Sequence, residues 1–329
     1  METLDRQLIN ALKNDGRAPF RRIASQLGVS DQVVARRYQR LCGSAGLRVR
    51  GRVNGRRLGQ AEWLIRLQCV PSASRGVAQA LAQRDDTHWV RLASGGTEVI
   101  CHVQARSTSE RDALLLDRLP ATRRVTAISA HQVLRRFRGG PVTWQVPMAA
   151  VPGPERADAD GPAVRQGGRA AARQGAEPVE LDSGDLALLG ALARDGRASH
   201  ALLAAELDRH ESTVRRRIGQ LRADGVLYFD VDFDEAAVGY ADNAVLWISV
   251  APSELDAVGR ALARLPDVPF AAATTGQCNL VATMLSADHD GLYEGIAHRV
   301  GSLPGIHDIQ TAPVIRTVKR VGEIGRALQ

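Results

Sequence analysis

Asp15-Gly16-Arg17-Ala18 returns letter for letter as Asp195-Gly196-Arg197-Ala198. Sliding the chain by a constant 180 positions about that tetrad lays Asp5 on Asp185, Leu8 and Ile9 on Leu188 and Leu189, and Leu12 on Leu192. It also lays Val34 on Val214, Arg36 and Arg37 on Arg216 and Arg217, and Leu41 on Leu221. After one inserted residue the match resumes at an offset of 181, with Pro71 on Pro252, Gly95 on Gly276 and Arg135 on Arg316. The repeat is about 140 residues long, far beyond solenoid periods, so the chain is a duplicated pair of domains.

Each copy opens with three predicted helices. Leu4, Leu8, Ile9 and Leu12 form one helical stripe, with Gly16 at a position suited to a helix C-terminus. A second helix, about 20 to 27, buries Ile23, Ala24 and Leu27. In the turn Gly28-Val29-Ser30, glycine tolerates positive φ, valine enters the core and serine caps the third helix. That helix turns Val34, Tyr38 and Leu41 inward, leaving Gln32, Arg36, Gln39 and Arg40 outward. Two short helices, a glycine turn and a cation-faced third helix describe a helix-turn-helix.

Beyond it the periodicity falls to two. Arg48-Val49-Arg50-Gly51-Arg52-Val53 alternates as a strand, and apolar stretches near 63–70, 88–93, 97–105 and 123–134 enclose amphipathic segments near 74–84 and 108–118. The second copy repeats the order from about 243 to 316. The predicted fold class is α+β, two copies of a helix-turn-helix followed by a ferredoxin-like βαββαβ sandwich. The expected domains are 1–60 and 61–138, a Pro/Gly/Ala-rich flexible linker 139–180, then 181–240 and 241–329. Such a linker spans on the order of 35 Å root-mean-square, enough for the two units to fold side by side and pair.

Composition narrows the function. There is no apolar run of 18 residues and no signal peptide at Met1, so the expected location is cytoplasmic, away from membranes. Cys42, Cys69, Cys101 and Cys278 are scattered and read as small buried residues; no metal, cofactor or catalytic residue is expected. The net charge of +7 is unevenly placed: residues 1–60 carry 13 cations against 4 anions, and residues 181–240 carry 7 against 11.

The tetrad within a helix-turn-helix, the Arg36-Arg37 to Leu41 ending, Leu58-Gly59 and Val238-Gly239 before each sheet, and the βαββαβ order resemble the Lrp/AsnC (feast/famine) family of transcriptional regulators. The resemblance covers roughly 280 of the 329 residues. It implies binding to double-stranded DNA, sandwich domains that pair into homodimers or larger assemblies, and a small effector, commonly an amino acid. The tandem form implies an intramolecular pseudo-dimer.

Ser30, Gln32 and Arg36 are the expected readers of base edges, since Gln suits adenine and Arg suits guanine. Arg21 and Arg22 are assigned to phosphates, with Arg40, Arg50 and Arg52 flanking them. Arg37 joins this set, although Arg217 persists in the second copy, which equally suits a packing role. In that copy the turn is Leu207-Asp208-Arg209-His210, and Asp230 and Asp232 stand where the first has Arg50 and Arg52, a reversal that repels a polyanion. Ser212, Thr213 and Arg216 keep a contact surface there.

The family's effector loop, roughly Gly-x-Tyr-Asp, aligns with Gly95-Gly96-Thr97-Glu98 and Gly276-Gln277-Cys278-Asn279. Gly95, Thr97, Glu98, Gly276, Gln277 and Asn279 are thus the effector candidates, with a tight turn between strands as the alternative. Two other functions fit the architecture. One is a siroheme-decarboxylase-like enzyme using His and Arg, against which the histidines form no recognisable cluster in the sequence. The other is a sensor without DNA binding. Paired chains would place half-sites about 34 Å apart or at multiples of that spacing.

Overall fold

The structure, a computed structural model, describes residues 2–148, 177–320 and 323–324. The first copy runs α1 (Thr3–Asn14), α2 (Phe20–Leu27), α3 (Asp31–Ser44), β1 (Arg48–Val53), β2 (Ala61–Cys69), α4 (Ser74–Ala82), β3 (Thr87–Ala93), β4 (Glu98–Ala105), α5 (Thr108–Asp112) and β5 (Val125–Arg138). The second runs α6 (Ser183–Arg194), α7 (His200–Glu206), α8 (Glu211–Ala223), β6 (Leu227–Asp232), β7 (Asp242–Val250), α9 (Leu255–Leu262), β8 (Phe270–Thr274), β9 (Leu280–Ser286), α10 (His289–Glu294) and β10 (Ile306–Arg320). None of the helices among the described residues is long and apolar enough to cross a membrane.

Like packs with like. Residues up to Gly59 and from Gly140 to Ala241 form one compact unit, and those from Gln60 to Gly139 and from Asp242 onward form the other. The first unit holds both helix-turn-helix heads and the second holds both sandwiches.

In the sandwich unit each copy contributes an antiparallel sheet, ordered β3-β4-β2-β5 and β8-β9-β7-β10. Helices cover one face of each. Ile65, Leu67, Ala78, Leu81 and Val99 make the first helix-on-sheet core, and Leu246, Ile248, Val258, Leu262 and Leu280 the second. The other faces share a third core, containing Leu64, Ile100, Val133, Trp247 and Val281. Strands β5 and β10 run past the ends expected from sequence, to Arg138 and Arg320, because their far halves pair with the opposite copy. Val133 lies opposite Thr274, and Val314 opposite Ala93. Since β10 also pairs with β7, the eight strands close on themselves.

In the head unit, β1 and β6 form a two-stranded antiparallel ribbon in which Arg48 faces Asp232 and Arg50 faces Asp230. Two sequence expectations are corrected here. Gly16 is no left-handed helix cap: α1 ends at Asn14, Asp15 caps it in extended conformation, and Gly16 is absent from the positive-φ glycines. Glycine is required because a Cβ there would lie 2.7 Å from Val49 and 2.8 Å from Phe229. The linker, second, is not free throughout 139–180. Trp144 and Val146 are buried; Asn10 holds Val146 by both backbone groups, and Arg6 donates to Pro147 O at 2.7 Å. Val179 N donates to Arg57 O at 2.7 Å. Apolar anchors inside a Pro/Gly-rich stretch dock it; residues 149–176 lie outside the described residues.

Candidate nucleic-acid interface

Gly28 takes the left-handed conformation at φ 67°, Val29 N donates to Ala24 O at 3.1 Å, and Ser30 Oγ caps α3 by accepting from Val33 N at 3.3 Å. Ile23, Val34 and Leu41 are buried, and Phe20 packs on Tyr38 with centroids 5.2 Å apart. This core sends Ser30, Gln32, Arg36 and Arg40 outward along α3, and Arg21 and Arg22 outward from the first turn of α2. Arg22 forms an ion pair with Asp15.

Three more of the arginines assigned to DNA, besides Arg22, have partners within the head unit. Arg37 donates to Asp5 at 2.9 Å and to Glu2 at 2.6 Å, and Arg40 donates to Asp5 at 2.6 Å. Asp5 is only 2% exposed, so this is a clasp between α1 and α3. The second copy repeats it: buried Asp185 accepts Nε and an NH2 of Arg217. That hydrogen bonding holds the Asp185 carboxyl below its ordinary range and lifts Arg217. Arg37 and Arg217 thus hold the same inward carboxylate in the two copies, as a packing role requires. Arg50 is a firmer correction. It is buried in the ribbon, where NH1 donates to Ala193 O at 2.9 Å and Arg194 O at 3.1 Å, at the C-terminal end of α6. Arg52 is half-buried on the same strand face, opposite Tyr228. A residue that alternates correctly along a strand can still point inward when a second strand pairs beside it.

Sequence reasoning missed what the repeated tetrads do. Arg17 donates to Gly196 O at 2.7 Å and Ala198 O at 2.8 Å, while Arg197 donates to Gly16 O at 2.6 Å and Ala18 O at 3.0 Å. Each tetrad thus grips the backbone of the other across a pseudo-dyad. Burial lowers the pKa of both arginines, and the proximity of Arg197 lowers that of Arg17 further. The available signal was the identity of the tetrads, in copies that otherwise differ at most outward positions.

The second head keeps the scaffold but not the surface. Asp208 occupies the place of Gly28 at φ 50°, a left-handed conformation Asp tolerates better than most residues. Arg209 N donates to Ala204 O at 2.9 Å, as Val29 does to Ala24, but His210 gives α8 no side-chain cap. Ser212 and Arg216 are exposed and Thr213 is half-buried. Where the first head has Arg21 and Arg22, the second has Ala201 and Leu202, the latter 66% exposed.

The effector candidates are largely tied into their own turns. Glu98 is fully buried, ion-paired to Arg66, and accepts from Ser94 Oγ at 2.7 Å; Thr97 Oγ1 donates to Ser94 O at 2.7 Å. Asn279 staples Val250, accepting from its N at 2.9 Å and donating to its O at 2.8 Å. Gly95 and Gly276 take positive φ, and Gln277 is exposed. Glu98 and Asn279 are thus each tied to a neighbouring strand, at Arg66 and Val250.

The sandwich also gathers histidines that the sequence left scattered. His88 Nε2 lies 2.8 Å from Gln104 Oε1, and the His88 and His102 rings are 5.4 Å apart. Arg136 donates to His102 Nε2 at 3.0 Å and to Glu62 at 2.9 Å. Glu62, Arg136 and the buried His102 thus form one polar group on the sheet.

The sequence profile of the AsnC-type helix-turn-helix domain matches residues 1–41 and again 181–222, and that of the Lrp/AsnC ligand binding domain matches residues 243–324. An uncharacterized HTH-type transcriptional regulator of Pyrococcus abyssi is 30% identical over 145 residues, 44% of this chain and 91% of the relative. HTH-type transcriptional regulator LrpA1 of Halobacterium salinarum is 31% identical over 129 residues, 39% of this chain and 91% of the relative. Such relatives are the size of one copy. In overall fold the whole chain is similar to the siroheme decarboxylase NirDL, with a TM-score of 0.61 at 14% identity, covering 96% of this chain and 93% of that one. The two profile-matched heads, the matched ligand-binding domain and these relatives together show that the chain belongs to the Lrp/AsnC family of HTH-type transcriptional regulators.

Proposed function

We propose that the chain is a cytoplasmic, sequence-specific DNA-binding regulator that contacts double-stranded DNA mainly through its first head. One observation carries this reading. After Arg37, Arg40 and Arg50 are assigned to internal partners, Ser30, Gln32 and Arg36 still form an exposed row on α3, with Arg21 and Arg22 exposed on α2. In this reading residues 1–60 read DNA, 181–240 form a partner head retaining Ser212, Thr213 and Arg216, and 61–138 with 241–329 form the sandwich platform. Further homo-oligomers assemble through that platform, and an amino-acid effector acts there. The heads present different side chains at matching positions, so the operator is asymmetric, with one dominant half-site.

The test is binding to DNA fragments around the chain's own locus across a salt series, beside Arg21→Ala/Arg36→Ala. Nanomolar, salt-steep binding lost in the variant supports the reading; absence of specific binding, with or without amino acids, overturns it.

A second reading, tetrapyrrole decarboxylation, is favoured by the whole-chain fold likeness and the Glu62–Arg136–His102 group. That arginine is already matched to Glu62, which weighs against its receiving a propionate. Absorbance titration with an iron porphyrin separates the two readings.

A further inference from the structure

Asp230 and Asp232, which by sequence act as repulsion toward DNA, lie on the ribbon, facing the other head. Positions 48, 50 and 52 of β1 share one face with 228, 230 and 232 of β6, and there Arg50 faces Asp230 and Arg48 faces Asp232. Asp230, Asp232 and Glu235 act electrostatically on Lys13 of α1, whose ammonium lies 5.3 Å from the Trp144 ring and 5.4 Å from Phe233. All these residues belong to the head unit.

The offset of 180 shows what any other pairing would bring together. The ribbon register places its pseudo-dyad at Arg50 and Asp230. Two first-copy heads in that register would set Arg50 against Arg50 and Arg48 against Arg52, with Lys13 facing arginines. Two second-copy heads would set Asp230 against Asp230. Like charges directly opposite destabilise a strand pair, and with Arg50 only 6% exposed solvent screens them poorly. The opposite ribbon face carries no charge in either copy, with Val49, Gly51 and Val53 beside Leu227, Phe229 and Val231. The apolar face favours association in general, while the charge pattern is complementary in only one pairing.

We propose that the β1–β6 ribbon is a charge-keyed lock, which pairs a first-copy head with the second-copy head of its own chain and rejects pairing between identical heads of two chains. Each chain accordingly presents one reading head and one partner head, and association between chains runs through other surfaces. The lock holds whether or not the chain binds DNA.

The test uses the full chain carrying Val49→Cys and Val231→Cys, directly opposite in the ribbon, with Cys42→Ala and Lys13→Ala to simplify the readout. Intrachain disulfide yield and thermal midpoint are measured for three versions: native charges, Asp230→Arg/Asp232→Arg, and the exchange Arg48→Asp/Arg50→Asp/Asp230→Arg/Asp232→Arg. The proposal expects an intrachain disulfide with native charges, a loss of about tenfold on reversal, and recovery of most of it on exchange. Should the reversed chain fail to fold, recovery by the exchange still supports the lock. Unchanged yield on reversal, no recovery on exchange, or interchain disulfides dominating with native charges overturns it.

Discussion

The two heads share a skeleton and differ in what they show to solvent. Asp5 with Arg37 and Asp185 with Arg217 are the same clasp, and Arg17 with Arg197 is one grip made twice. Outward positions diverge: Arg21-Arg22 becomes Ala201-Leu202, Gly28 becomes Asp208, and Ser30 becomes His210. The difference teaches that a helix-turn-helix is two separable layers. One is an inward layer of apolar residues and carboxylate–guanidinium clasps that fixes geometry. The other is an outward layer that can change from one copy to the other without disturbing that geometry.

The largest expected effect breaks the comparison at its outward layer. Arg21→Ala/Arg36→Ala should weaken DNA binding by about 100-fold, whereas Leu202→Ala/Arg216→Ala should change it by less than about threefold; gel-shift titrations at fixed salt compare them. Next is the shared grip. Gly196→Ala puts a Cβ 2.9 Å from Val49 O and Arg50 C, which are backbone atoms that cannot swing aside, and should destabilise the head unit by about 2–3 kcal/mol, read from denaturant midpoints. Asp185→Asn should cost about 2 kcal/mol, less than a fully buried pair because Arg217 keeps solvent access.

The same clasp has a pH signature. The folded-state pKa of Asp185 is depressed, so its stabilisation is fully present above the unfolded carboxylate range near about pH 4. It is lost as pH falls through the lower folded value, and the Asn variant should flatten that acid limb in pH-dependent melts. The smallest effect sharpens the contrast at the turns. Asp208→Gly should stabilise by about 0.5–1 kcal/mol and Gly28→Ala should destabilise by about 1 kcal/mol, because the same left-handed conformation suits glycine, measured as opposite shifts in melting temperature.

The repeat, the order of elements and the recognition turn were legible because each rests on local periodicity or on one residue's conformational freedom. Ser30 as cap and Gly28 at positive φ need no tertiary context. Pairing of the copies was expected, but not which residues meet there. Arg50 looked like a cation on an alternating strand until β6 lay beside it. Gly16 looked like a helix stop until Val49 and Phe229 closed on it. His88 and His102 are unremarkable in sequence and neighbours only through the β3–β4 register, which joins Trp89 to His102. Long-range pairing leaves a trace in sequence where the copies stay identical, as at the tetrads, or differ in a complementary sense, as at Arg50 and Asp230.

The long strands β5 and β10 carry a further consequence, for how the chain is made. Lys319 donates to Arg84 O across 235 positions of sequence, and the last edge of the first sheet is closed by residues near the end of β10. During synthesis the first sandwich has to wait with that edge open until residues 314–319 have emerged. Contacts this distant form late and slowly, so refolding should be slower than for a single-copy relative, and a chain truncated before β10 should be prone to aggregate through β3.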